Sequence, residues 1–371
     1  MRERAIVCFS HLRWDFVYQR PQHLLSRLAR RHDIHFFEEP QFHDDITPHL
    51  IEEHPEPGVT VLTPQLPRTN AAQAEAFQDH MLRDYVAMNV LDAPILWYYT
   101  PMALGYTWAL DRSLCVYDCM DELAMFANAP ADLQLRERQL FSRADVVFTG
   151  GRSLYYAKRR HHPNVKCFPS AVDAEHFAPR SFAEPRDLAG IPHPRFGFYG
   201  VVDERFDTAY LDSIAGLRPQ WQFVVLGPTV KIDPRDLPRR ANITYIGQRS
   251  YSELPAYLQH WDMAMLPFAL NAATRFISPT KTLEYLAARK PAISTPIADV
   301  VDPYGEQGLV AIAATPEEFV DSGERLLRDG VAAEWHTRVD RVIRDLSWDA
   351  TVQAMERELS RAAVSKAVAP A

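Results

Sequence analysis

Short apolar runs rich in β-branched and aromatic residues alternate with longer segments of helical period, and the alternation occurs twice along the chain. In the first half the pattern predicts strands at Arg4–Ser10, Ile34–Glu38, Val59–Leu62, Ile95–Tyr99, Leu114–Asp118, Asp145–Thr149 and Val165–Phe168, with helices at Pro21–Arg31, Ala71–Val90, Asp132–Ser142 and Ser153–His161. In the second half it predicts strands at Arg195–Tyr199, Phe223–Leu226, Ile243–Ile246, Met263–Leu266, Ala292–Thr295 and Leu309–Ile312. Helices follow at Thr208–Leu217, Tyr251–Gln259, Pro279–Ala288, Pro316–Arg328, Val331–Arg344 and Trp348–Arg361. Strand and helix in turn is the pattern of parallel βαβ units.

Between the halves, Pro169–Pro194 contains Pro169, Pro179, Pro185, Pro192 and Pro194 and no periodic element, as expected of an interdomain linker. The Ala-rich stretch Ala362–Ala371 is expected to fray. Two doubly wound α/β domains leave a cleft between the carboxyl ends of their strands, where such sheets bind ligands.

A chain of 371 residues with 47% hydrophobic and 24% charged residues has enough apolar surface for two or three full cores. Its formal charge of -8 excludes the basic excess of a nucleic-acid binder. Cys8, Cys115, Cys119 and Cys167 lie mostly inside apolar runs and read as reduced core thiols, which points to the cytoplasm. The run Ala5–Phe9 is too short for a signal-peptide core, and no apolar run is long enough to span a membrane. Only six of the forty basic residues are lysines, so each lysine draws notice.

Missing motifs narrow the chemistry. There is no Gly-x-Gly, no Gly-Lys pair, no Gly-x-Ser-x-Gly, no His-Glu-x-x-His and no Asp-x-Asp. Dinucleotide oxidoreductases and P-loop enzymes are therefore demoted. Cys115 and Cys119 lack the clustered histidines of a zinc site, and no metal site is expected.

The segment Arg275–Pro296 carries the most chemistry. Ser278 is a good N-cap and Pro279 suits the first helical position. The helix N-terminus then offers amides and a positive dipole end, to which Thr280 adds a hydroxyl and Lys281 a charge. Glu284 follows Lys281 by three residues and shares its face, so the pair can grip a nucleotide diphosphate, the carboxylate accepting from a ribose diol. The same residues also fit an ordinary capped surface helix with a Lys–Glu pair.

At this point the second half resembles the donor domain of GT-B glycosyltransferases. It is similar to family 4-like bacterial members, of the teichuronic-acid and cell-surface polysaccharide kind, whose helix reads Ser-Pro-x-Lys-x-x-Glu-Tyr-x-Ala-x-x-Lys-Pro. Four further stretches fit: Tyr199–Arg205 as the first loop of that domain, Trp261–Phe268 as its strand into the donor loop, Ser170–Phe177 as the interdomain signature, and Trp14–Leu24 after the first strand. Two positions depart from the pattern. Phe276 stands where the retaining group has a Glu eight residues before the ribose Glu, and Ser170-Ala171 stand where Asn-Gly is common.

The resemblance implies a GT-B fold: two Rossmann-like doubly wound domains facing a cleft, with residues 1–178 on the acceptor side, 179–346 binding the sugar nucleotide, and a final helix in 347–371 crossing back. It implies transfer of a hexose from a nucleoside-diphosphate sugar, UDP ahead of GDP, to a saccharide or lipid-linked acceptor, with retention ahead of inversion and with neither cofactor nor metal required. Gly200, Arg205, Ser278, Pro279, Thr280, Lys281 and Glu284 are the donor-binding candidates, and Arg205 and Lys281 are expected to stabilise the leaving diphosphate. The alternative reading makes Arg205 a solvent-facing partner of Asp203 or Glu204. Asp121, or secondarily Asp118, is the candidate carboxylate facing the acceptor, each open to a capping or turn role instead. His11, Trp14 and Arg20 are the other acceptor-side candidates. Rival functions are a catalytically silent scaffold and a sugar-nucleotide epimerase of the same fold. Peripheral attachment to the inner membrane face follows from a lipid-linked acceptor; the oligomeric state is left open.

Overall fold

The computed structural model describes residues 3–368. Its strands are β1 (Ile6–Ser10), β2 (Ile34–Glu38), β3 (Gln41–His43), β4 (His49–Glu56), β5 (Val59–Pro67), β6 (Ile95–Tyr98), β7 (Leu114–Cys119), β8 (Val146–Thr149) and β9 (Val165–Cys167) in the first half. The second half holds β10 (Arg195–Tyr199), β11 (Gln222–Leu226), β12 (Ile243–Gly247), β13 (Met263–Leu266), β14 (Ala292–Ser294) and β15 (Ala311–Ile312). The first sheet runs β3-β5-β2-β1-β6-β7-β8-β9, with β4 antiparallel on β5, and the second β12-β11-β10-β13-β14-β15. β1 and β10 each sit where the order reverses, so the loops after them open at a switch point.

The central strands are mostly apolar, with their polar residues such as Glu38, Asp118 and Arg195 near the strand ends, because a parallel sheet is covered on both faces. β1, β2, β6 and β10 are buried at every position. Separate cores form on each side: Trp97, Phe148 and Phe36 on one face of the first sheet, Phe9, Phe37 and Tyr98 on the other, and Phe196, Phe223, Trp261 and Tyr285 around the second.

Most predicted elements are present, with ends shifted by a few residues. The polar hairpin of β4 and the lengthened β5 is an addition: β4 is exposed at most positions, so no buried face marked it as a strand. Pro169–Pro194 holds no named strand but contains the short helix Ala174–Phe177, capped by Asp173, whose side chain accepts from the His176 amide.

The stretch Ala362–Ala371 does not fray as expected up to Val368. The last helix runs Trp348–Val368, with Ala362 buried against the first core and Lys366 bonded to Asp145 at 3.0 Å; Pro370 and its neighbours at 369 and 371 lie outside the described residues. Trp348, Val352, Met355 and Leu359, spaced by three and four residues, form one stripe in the core of the first half. Arg27 and Arg30 bind Asp349, and Lys166 reaches Glu358.

His23 lies between the halves. Its ring stacks on Trp348 at 4.7 Å and meets Tyr251 edge-on at 5.3 Å. Burial, helped by Arg27, holds this imidazole neutral well below its usual pKa, and burial alone brings His35 down to about 4. Histidines buried neutral stabilise the fold fully above their unfolded value of about 6.5 and stop doing so as the pH falls toward the folded value. We expect the melting midpoint to fall between pH 7 and pH 5, by up to about 1.4 kcal/mol per pH unit for each such group. In His23→Phe, which keeps a stacking ring, thermal melts at the two pH values should differ less; an unchanged difference would show that this ring does not contribute.

Candidate functional site

The cleft lies at the carboxyl ends of both sheets and encloses about 1180 Å³ open to solvent. Val17–Arg20, Met120, Asp121, Gly150 and Ser170 line it from the first half; Tyr199–Val201, Arg205, Gly227, Pro228, Gln248, Arg249, Tyr251 and Ile277–Lys281 with Glu284 line it from the second. These second-half segments lie at or just after strand ends or in the first turns of a helix, because most side chains inside the strands are consumed by the cores.

One wall is the start of the helix Thr280–Ala287. The helix begins one residue later than the sequence implied: Pro279, extended at φ -66° and ψ 119°, is the cap position and Ser278 precedes it. Proline's ring fixes φ but leaves ψ free to stay extended, so Pro279 ends the incoming loop. The Ser278 carbonyl accepts from Ser170 Oγ at 2.7 Å, which joins this loop to the linker. Thr280 and Lys281 of the first turn line the cleft, where the opening amides of a helix lack an acceptor four residues back, while the Thr282 N–H donates to the Pro279 carbonyl at 3.2 Å.

Lys281 and Glu284 share the face as predicted. Glu284 is buried, and its Oε2 accepts from Tyr199 Oη at 2.7 Å. Burial raises the Glu284 carboxyl above its usual range, opposed by that hydroxyl, by Lys281 and by Thr280. Burial lowers the Lys281 ammonium, with Glu284 pulling the other way. The Lys281 stem crosses Gly200, where a Cβ would stand 2.2 Å from its Cε; Gly200 also has φ +142°, a conformation side chains avoid. Only glycine lets the lysine reach the cleft along this path.

Arg205 both lines the cleft and pairs with Asp203, with Nη2 at 2.7 Å and Nε at 2.9 Å from the carboxylate oxygens. Both readings of Arg205 therefore meet in one residue: Asp203, itself buried, aims the guanidinium. Phe126 from the first half carries Arg205 at 5.3 Å and Lys231 at 5.1 Å from its ring, cation–π contacts across the cleft. Asp121 lines the opposite wall. Burial raises its carboxyl above the usual range, with Arg205 the strongest opposing influence and Lys281 also lowering it.

The structure corrects the acceptor-side set in part. Asp118 is fully buried, is not among the residues that line the cleft, and accepts three hydrogen bonds from Arg20, the shortest 2.9 Å, so it does not face an acceptor. Arg20 touches the cleft, but its charge is paired with Asp118 and its Nη1 donates to the Phe168 carbonyl at 2.8 Å, so it braces the floor. Trp14 is buried, edge-on to Phe36 at 5.1 Å, with its backbone N–H donating to Glu38; it presents no face to a sugar. His11 is not among the lining residues, and burial with Lys231 nearby takes its pKa down to about 4. In a loop that follows a strand, residue order does not say which side chains turn back into the core.

Tyr199 as the partner of Glu284, Phe126 and the stacked pair Tyr18–Tyr251, 4.7 Å apart, were not foreseen. Lys231 carried only the notice given to every lysine. The aromatic contacts join segments far apart in the chain and have no local signal.

Residues 194–329 match the family described as glycosyl transferases group 1. TuaH of Bacillus subtilis (strain 168), named as a teichuronic acid biosynthesis glycosyltransferase, is 24% identical over 221 residues, 54% of this chain and 55% of that protein. The chain thus spans about half the length of the curated relative it matches. In fold it is similar to sucrose-phosphate synthase from Thermosynechococcus elongatus (TM-score 0.71, 16% identity, 97% of this chain and 99% of that one). It is also similar to Anabaena Alr3699/HepE in complex with UDP and glucose (TM-score 0.66, 12% identity, 96% of this chain and 100% of that one). Among the described residues no helix is long and apolar enough to cross a membrane. The chain has the two-domain GT-B fold, and the match to the group 1 glycosyl transferases lies within its second half, over residues 194–329.

Proposed function

We propose that this protein is a glycosyltransferase that moves a hexose from a nucleoside-diphosphate sugar to a saccharide or lipid-linked acceptor in cell-surface polysaccharide synthesis. The observation that carries the proposal is the helix start at Thr280 with Lys281 and Glu284 turned into the cleft opposite Asp121. In this reading the diphosphate rests on the first-turn amides and Lys281, while the Glu284 oxygen left free by Tyr199 accepts from the ribose. A uridine donor is favoured, in keeping with the UDP held by the fold neighbour HepE.

The reaction breaks the bond between the anomeric carbon and the diphosphate oxygen and forms one to the acceptor oxygen, whose proton is released. Lys281, Arg205 and the helix end stabilise the negative charge that gathers on the diphosphate, as fixed donors that need no reorganisation and no metal ion. Asp121, on the wall opposite Lys281, positions the acceptor hydroxyl; retention of configuration is favoured over inversion. Residues 1–178 supply the acceptor side and 179–346 the donor side, with 347–371 returning to the first, and a lipid-linked acceptor would bring the protein to the inner membrane face.

A thermal-shift screen against UDP, GDP, ADP, CMP and NAD should give an upward shift for one nucleoside diphosphate, equivalent to about 2.7 kcal/mol at a hundredfold excess over Kd. The shift should vanish in Glu284→Ala. No shift with any of them would favour the silent-scaffold reading, and donor consumed equally without acceptor would favour the epimerase.

Because burial depresses the Lys281 ammonium, its charge is lost at a lower pH than that of an ordinary lysine. Affinity for the diphosphate should therefore fall as pH rises from neutral into the alkaline range, and titration calorimetry should find the fall abolished in Lys281→Arg. A pH-independent affinity in the parent protein would remove Lys281 from diphosphate binding.

A further inference from the structure

The helix Arg152–Lys158 of the first half begins without a cap of its own. Its cap position is Gly151, extended at φ -162° and ψ 165°, and glycine offers no side chain to the opening amides. The second half supplies the acceptor: Asp299 Oδ1 takes the Ser153 N–H at 3.0 Å, across 146 positions of chain. Asp299 lies in the short helix Ala298–Val300 after β14 and is buried, and at the exposed rim beside it Arg152 pairs with Asp302 at 3.0 Å. Space explains the glycine. A Cβ at position 151 would collide with Asp299 Oδ2 and stand 2.8 Å from Ser278 Cβ, so a self-capping serine or aspartate has no room there while the halves are in contact.

This joint lies directly behind both walls of the cleft. Gly150 and Ser278, which flank it, are lining residues. On the first-half side the Gly150 N–H donates to the Cys119 carbonyl at 2.9 Å, and a Cβ on Gly150 would lie 3.0 Å from the backbone of Met120, the neighbour of Asp121. On the second-half side the chain passes from Ser278 into the helix that carries Lys281 and Glu284. Burial raises the Asp299 carboxyl above its usual range, opposed by the Ser153 and Arg152 amides and by the Arg152 charge. The cost of removing the carboxylate from water is thus offset by the helix end it caps, which leaves a contact of modest net strength between the halves.

We propose that Asp299 is a positioning residue: by capping a helix of the first half from the second, it fixes how far Lys281 stands from Asp121 across the cleft. The meaning of that spacing for transfer rests on the nucleotide-sugar reading above. Asp299 touches neither substrate. It acts through Gly151 and Ser153 on the strand ends that present Asp121, and its own half carries the helix start that grips the nucleotide. The donor grip belongs to the second half alone, so loss of the cap separates the two walls without dismantling either.

The test compares the parent protein with Asp299→Ala, Asp299→Asn and Gly151→Ala by small-angle X-ray scattering, hydrogen exchange and titration calorimetry with UDP and GDP. Asp299→Ala should enlarge the radius of gyration and speed exchange of the Ser153 amide by roughly fivefold, the loss expected of a helix cap. Asp299→Asn, which keeps an acceptor oxygen in place, should restore both to the parent values. Gly151→Ala, which sets a methyl group against Asp299 from the other side, should enlarge the radius with the carboxylate intact, and it decides the question if Asp299→Ala no longer melts cooperatively. Whichever of UDP and GDP the parent binds should bind Asp299→Ala within about twofold. An unchanged radius and unchanged exchange in Asp299→Ala would overturn the proposal, as would an Asp299→Asn variant as impaired as the alanine. Loss of the nucleotide in Asp299→Ala would overturn it too, by placing Asp299 in the donor grip. Absence of UDP and GDP binding by the parent would overturn the donor reading, while scattering and exchange would still judge the joint between the halves.

Discussion

The ion pair between Arg20 and Asp118 holds the floor of the cleft. Arg20 begins the helix after β1, Asp118 lies near the end of β7, and the same guanidinium reaches the Phe168 carbonyl just past β9. The ends of two strands are thereby fixed to one planar group at the start of a helix. Both partners are almost wholly removed from water, so losing either would strand a buried charge at a cost of about 3–5 kcal/mol. Asp121 follows three residues after Asp118 and Ser170 two after Phe168, so the acidic wall and the contact to Ser278 inherit their positions from this pair.

Across the cleft the equivalent ordering is achieved by close approach. Gly200 admits Lys281, and Gly227 packs its backbone so near that a Cβ there would lie 1.9 Å from the Gly200 carbonyl oxygen. The halves then meet through aromatic faces and single polar contacts: Tyr18 on Tyr251, His23 on Trp348, Phe126 beneath two cations, and Gln248 donating to the Phe16 carbonyl at 2.5 Å. Such contacts are modest individually, as befits a cleft that must admit and release a ligand.

How much of this was legible in the sequence depends on the range of the interaction. Parallel strands read clearly because burial on both faces makes them mostly apolar, and the Lys281–Glu284 pair read clearly because helical spacing is local. The edge hairpin at β4 was hidden by its exposure, and the helix start was displaced by one residue because Pro279 can cap as well as initiate. The acceptor-side residues failed for a different reason: Trp14 and Asp118 are polar or amphipathic groups that found partners in Glu38 and Arg20, and those partners lie 24 and 98 positions away. The pairing of Tyr199 with Glu284 is equally remote along the chain.

The last helix has a consequence for how the chain is made. Trp348, Val352, Met355 and Leu359 complete a core whose other members, from Ile6 to Phe148, emerge from the ribosome far earlier. Until residues 348–359 have been made, the first sheet must wait with one apolar face uncovered while the second half, whose core closes within residues 172–339, can already settle. The part synthesised first is thus the part finished last, and the exposed stripe left in the interval is a surface for chaperones or for aggregation.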